Sequence, residues 1–139
     1  MISTNIRILG ELYRSSPIRF PIRKNQDFRY YCENDMFSYI DAIMFSLWIQ
    51  YLRPKNIIEV GSGFSSCVML DTCEKAKLDV KLMFIEPNAE RLQSLMGASP
   101  LPGLIEKCVQ EVEEKVFEIL KKTTFCLLIA RTFQKLVLM

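Results

Sequence analysis

The chain has no histidine among its 139 residues. This removes the commonest general base and the commonest metal ligand. Its five cysteines, Cys32, Cys67, Cys73, Cys108 and Cys126, are odd in number and form no C-x-x-C pair. A Cys/His zinc site is excluded, and a four-cysteine site lacks its usual paired spacing. Reduced, mostly buried thiols are expected. Charge of one sign is scarce as well. Eighteen Lys and Arg against sixteen Asp and Glu leave a formal net charge of +2, too small a surplus to argue for nucleic acid. Arg14, Arg19, Arg23, Lys24 and Arg29 are scattered over the N-terminal segment and read as a solvated arm. The longest uncharged apolar run, Ala42 to Leu52, is too short to span a bilayer. Met1 to Arg14 has no long apolar core of a secretion signal. A cytoplasmic protein without membrane contact is expected. Any catalysis must use carboxylates, tyrosine, lysine, a metal or positioning alone.

Half of the residues are hydrophobic, which suits one compact domain with a core. Residues 1–33 read as an arm. Pro17 and Pro21 interrupt helical pattern there, and an extended strip is expected. Asn34 or Asp35 can cap a helix running to about Leu52, with Phe37, Ile40, Ile43, Met44, Leu47 and Trp48 on a wide apolar face. Pro54 marks its end. From there the pattern alternates. Strands are expected at Ile57–Val60, Leu82–Glu86, about Leu104–Val109 and Thr124–Ala130. Helices are expected at Ser65–Lys75, Asn88 to about Met96 with Gly97 as C-cap, and Val112–Lys121. Such alternation predicts an α/β fold with a parallel sheet and helices on both faces.

Ligands of open parallel sheets bind beyond the carboxyl ends of the strands. Gly61 and Gly63 lie just past the first strand, and the next helix begins near Ser65 and Ser66. Glu86 ends the second strand, where a carboxylate can accept hydrogen bonds from ribose hydroxyls. Two nucleotide readings compete. A dinucleotide loop wants G-x-G-x-x-G/A, but the sixth position here is Ser66. Glu59, two residues before Gly61, is unfavourable beside a pyrophosphate and favourable for the ammonium of a methionine moiety. A plain glycine turn is the bland alternative.

Glu59-Val-Gly61-Ser62-Gly63 with Ile85-Glu86-Pro87 resembles motifs one and two of the class I S-adenosylmethionine-dependent methyltransferases. The stretch from Asn34 through Phe37, Tyr39 and Asp41 resembles one bacterial subgroup of that fold. The resemblance covers roughly residues 30–120. It implies a Rossmann-like sheet with about four strands of an expected seven present, S-adenosylmethionine as cofactor, and a small-molecule or sugar oxygen or nitrogen as methyl acceptor. It implies that Glu59 contacts the methionine end, that Gly61, Ser62, Gly63, Ser65 and Ser66 line the cofactor, and that Glu86, next to Pro87, binds the ribose. It places Gln110 and Glu111 where the family holds adenine, although a surface Gln-Glu pair after a strand is common. Tyr39 and Asp41 reach the cofactor from the preceding helix, or are a packed tyrosine and a first-turn acid.

The tail departs from the family. The family has an acid at the end of strand four and a histidine soon after, whereas no carboxylate follows Glu118 here. If Lys121-Lys122-Thr123 is encoded AAA AAA ACG, the frame two bases in permits KNDILFIDSTHVSKVGSD. That string restores a turn, an apolar strand, an acid and a histidine. Residues 123–139 are therefore expected to be an out-of-frame tail, the alternative being a genuine fourth strand. Residues 34–139 would be a partial cofactor domain, inactive by itself. A nicotinamide-dependent oxidoreductase fragment and a non-catalytic interaction module are the other readings.

Overall fold

The computed structural model describes residues 2–97, 101–122, 126–129 and 135–138. The chain forms two compact units, 1–53 with 67–78, and 54–66 with 79–139.

The first unit holds α1 (Ile2–Ser15), α2 (Tyr39–Leu52) and most of α3 (Phe64–Lys75). The segment read as an arm thus begins with a helix. Its side chains explain why: Leu9 is buried, Ile8 and Leu12 are half-buried, and the three share one side of the turn. Helix α2 starts later than expected. Asn34 does not cap it, because its Oδ1 accepts the amides of Met36 at 3.0 Å and Phe37 at 2.7 Å. This local turn competes with helix. Ser38 is the cap instead, its Oγ accepting Asp41 N at 3.2 Å. The helix closes on Arg53, which is left-handed at φ 46° and donates its amide to Ile49 O. Its buried stripe is Ala42, Ser46 and Ile49 with Leu47, whereas Ile40, assigned to the apolar face, is 74% exposed.

Asp71, on α3, is fully buried. Its carboxylate accepts the amides of Arg29 and Tyr30, each at 2.9 Å, and Arg29 Nη1 at 3.0 Å. Arg29 also meets Glu74 at 2.9 Å. Arg29 is therefore no solvated arm charge. Burial pushes the Asp71 carboxyl up, and these N–H donors pull it back. Replacing the acid strands two backbone amides and a half-buried guanidinium. Asp71→Ala is expected to cost about 3 kcal/mol of stability, measured by denaturant unfolding. A loss within error of zero would mean that the clamp contributes nothing.

The second unit is built on a sheet of order β3-β2-β1-β4-β5, from β1 (Asn56–Val60), β2 (Lys81–Ile85), β3 (Leu104–Ile105), β4 (Cys126–Ile129) and β5 (Lys135–Leu138). Strands β1 and β2 are parallel from Asn56↔Lys81 to Val60↔Ile85. Strand β3 runs parallel to β2, and β4 runs parallel to β1 through Glu59↔Leu127 and Val60↔Leu128. The α/β class and the parallel sheet agree with expectation. Ile57, Ile58, Phe84 and Ile85 are buried, as near-continuous apolar runs in parallel strands predict. Helix α4 (Ala89–Met96) buries Ala89, Leu92 and Met96 along one stripe.

Two expectations fail in this unit, and one strand is added to those expected. Strand β3 has two residues, not six, because Lys107 N turns back to Ile105 O at 3.0 Å. The helix expected at Val112–Lys121 is reduced to α5 (Glu114–Phe117), flanked by 3-10 turns at Val109–Glu111 and Glu118–Lys122. No residue of α5 is buried, so no packing supports a longer helix. Strand β5 was not anticipated, and it pairs antiparallel with β4, Leu127 opposite Val137. Of the strand expected at Thr124–Ala130, residues 124, 125 and 130 lie outside the described residues, as do 123, 131–134 and 139 of the proposed out-of-frame tail. Among the described residues, no helix is long and apolar enough to cross a membrane.

Candidate functional site

Strand order reverses at β1, with β2 on one side and β4 on the other. The crevice beyond such a strand is where open α/β sheets bind ligands. Residues 61–63 leave β1 at this point. Gly61 adopts φ 82°, a conformation that costs other residues and suits glycine. Its amide continues the ladder to Ile85 O at 3.0 Å. The next two amides are taken up by the chain itself. Ser62 N donates to Glu86 Oε2 at 3.0 Å, and Gly63 N donates to Ser66 Oγ at 3.0 Å.

Glu86 is 6% exposed and follows β2 directly. Its second oxygen accepts Asn88 N at 2.9 Å, so one carboxylate holds both the glycine loop and the entry to α4. A carboxylate has about four acceptor sites, which leaves lone pairs for a ligand. Sequence reasoning found Glu86 but not the part played by Asn88.

Glu59 is wholly buried. Ser65 Oγ donates to its Oε1 at 2.5 Å, and Ser66 Oγ donates to its Oε2. The acid therefore lies behind the loop and reaches no solvent. Burial pushes its carboxyl up to about 7, against the pull of the two hydroxyls. Glu86 adds a smaller push in the same direction. The Ser62 hydroxyl is buried without a hydrogen bond of good geometry, yet near enough to Glu59 to ease its ionisation slightly. Ser65 and Ser66 were expected to line a ligand, but they face the acid. Their spacing of six and seven residues from Glu59 is the sequence signal, legible only once the turn is known to bring residues 65 and 66 back beside Glu59.

Gly63 has a different role from Gly61. A Cβ built on it meets nothing within 4 Å. The fold tolerates a methyl there, and the space beside it is open. Gly63→Ala is expected to leave thermal unfolding unchanged while weakening ligand binding about tenfold. Equal losses in both would mean that the glycine serves the fold alone.

Pro87 is exposed beside Glu86. Gln110 and Glu111 lie on the 3-10 turn after β3, both exposed. Glu111 closes its own turn, accepting Cys108 N at 3.0 Å. Tyr39 and Asp41 belong to the first unit. Tyr39 opens α2 at 38% exposure. Asp41 accepts the Ser38 hydroxyl at 2.9 Å, the bond of a first-turn acid. The hydrogen bonds therefore form two sets, Ser62 and Asn88 on Glu86, and Ser65, Ser66 and through it Gly63 on Glu59. Gln110, Glu111, Tyr39 and Asp41 have local partners or exposed positions.

Of the described cysteines, Cys67 and Cys73 are buried, Cys32 is half-buried and Cys108 is exposed. Burial pushes the Cys73 thiol up to about 11, which makes it a poor nucleophile. No cluster among the described residues could hold a metal ion.

No family model matches the chain, and no solved structure matches it. A protein of Archaeoglobus fulgidus, described as an uncharacterized protein, is 34% identical over 95 residues. The match covers 67% of this chain and 43% of that protein. The chain thus spans less than half the length of the relative it matches.

Proposed function

We propose that the chain is the cofactor-binding half of a class I S-adenosylmethionine-dependent methyltransferase with a Rossmann-like sheet. The main support is the glycine loop, whose three successive amides are occupied by Ile85 O, Glu86 and Ser66. A loop with its amides engaged and two carboxylates around it offers no nest for a pyrophosphate. It suits a ligand with ribose hydroxyls and positive charge. This favours adenosylmethionine over a nicotinamide dinucleotide. The strand order β3-β2-β1-β4 is that of the first strands of the Rossmann sheet.

Glu86 would bind the ribose, Gly61 and Gly63 would admit the cofactor, and Glu59 would supply negative charge beneath the loop. Gln110 and Glu111, which follow β3, would lie at the adenine end. The parent enzyme would transfer the methyl group to oxygen or nitrogen of a small molecule or sugar. Methyl transfer relies chiefly on positioning, with a base only where the acceptor needs deprotonation. A non-catalytic binding module is the second reading.

Calorimetric titration of the chain with S-adenosylmethionine and with NAD tests the proposal. Heat of binding with the first and none with the second is expected. Binding of NAD alone would replace this reading with an oxidoreductase one.

A further inference from the structure

We propose that Ser66 is a positioning residue through which the buried Glu59 carboxylate sets the glycine loop. The Ser66 hydroxyl donates to Glu59 Oε2 and, in the same position, accepts the amide of Gly63 at 3.0 Å. Gly63 is therefore linked to a charge that it does not touch. Ser65 holds the other oxygen of Glu59 at 2.5 Å, and neither loop amide that leaves the ladder is bound to it. The two serines look alike in sequence and differ in role. Ser65 fixes the acid, and Ser66 connects the acid to the loop.

The connection has a chemical consequence. An ionised Glu59 accepts a hydrogen bond from each hydroxyl, which leaves the Ser66 lone pairs directed at Gly63 N–H. The charge polarises that chain of two bonds, and each strengthens the other. A neutral Glu59 brings its own proton into the cluster and weakens the pull on Ser66. Glu86, at the end of β2, is the charged group that bears on Glu59, while Ser65 and Ser66 face it from α3. The ligand side of this inference rests on the cofactor reading, since the loop set by Ser66 is the one proposed to receive S-adenosylmethionine. The linkage itself requires no ligand.

The test is the Gly63 amide resonance, followed by nitrogen-15 NMR across pH 5 to 9 in the full chain without ligand. In the wild type the resonance is expected to move with a midpoint near 7, where Glu59 titrates. Glu59→Gln should abolish the movement. Ser66→Ala should remove most of its amplitude, and Ser65→Ala should keep it with the midpoint raised. Should Ser66→Ala fail to fold, Ser66→Thr is read in its place, and retention of the movement is expected because the hydroxyl remains. A wild-type resonance that ignores pH, a Ser66→Ala chain that titrates like the wild type, or a Ser66→Thr chain that does not titrate would each overturn the proposal. Calorimetry with S-adenosylmethionine then adds the functional arm, where Ser66→Ala should weaken binding about tenfold. A wild type that binds no S-adenosylmethionine at any pH would sink the methyltransferase reading and leave the Gly63 result to stand by itself.

Discussion

Glu86→Ala is expected to weaken S-adenosylmethionine binding about a hundredfold or more. Two losses combine. The proposed ribose contact would lose a charged acceptor, and each charge-assisted hydrogen bond is worth about 1.5–3 kcal/mol. The loop also loses its tether, because Ser62 N and Asn88 N both end on this carboxylate at 3.0 and 2.9 Å. The fold should suffer less. Both freed amides lie at the edge of the crevice, where water can replace the acid, so about 1 kcal/mol of stability is at stake. Glu86→Gln separates the two contributions. It keeps one oxygen for a backbone amide and removes the charge, and should fall between wild type and alanine. Calorimetry for binding and thermal unfolding for stability decide the matter. Binding unchanged in Glu86→Ala, with stability lost, would make Glu86 a structural cap for α4 and remove it from the site.

The part of the site legible in the sequence is the part written in backbone. Ile57 to Val60 is a short apolar run, and a glycine after it can only mean a turn. The second apolar run then fixes where Glu86 must fall. The β1–α3–β2 unit accordingly stands within one residue of expectation at its ends. What was not legible depends on side chains finding each other in space. That Ser65 and Ser66 both turn inward to one acid cannot be read from their identity, since a serine at a helix start more often caps it. Asn34 looked like a helix cap and became a turn, because the same carboxamide serves either geometry and the flanking residues decide. Asp71 stood in an apolar stretch of α3, a hint of a buried acid, but its partners are Arg29 and Tyr30, some forty residues earlier. The region after β3 failed for another reason. Its apolar residues are spaced for a helix, yet none is buried, and periodicity without packing leaves only turns.

The opposite balance is expected for Glu59, where binding and stability should pull apart. Its carboxyl is raised from 4.5 to about 7 by burial. A raised acid is bound more tightly to its proton in the folded chain than in the unfolded one. Its contribution therefore favours the fold at low pH and is lost as pH rises from about 4.5 through about 7. The size of the loss follows from the shift, about 3 kcal/mol across that window. Above it the acid is ionised in both states, and the penalty stays constant. Glu59→Gln removes the titration and keeps the shape. Its carboxamide oxygen can accept one serine hydroxyl, and its amide can donate to the other. The variant should thus match or fall slightly below the wild type at pH 5 and gain on it steadily towards pH 8, where it should be the more stable chain. Denaturant unfolding at several pH values reads this directly, and two parallel curves would show that Glu59 does not titrate in the window. The same substitution should weaken S-adenosylmethionine at pH 8, because the negative charge beneath the loop is gone. A residue whose replacement stabilises the fold and impairs the ligand is one retained for binding. Asp71 differs in its partners, since it holds two backbone amides and the Arg29 guanidinium and its loss should destabilise.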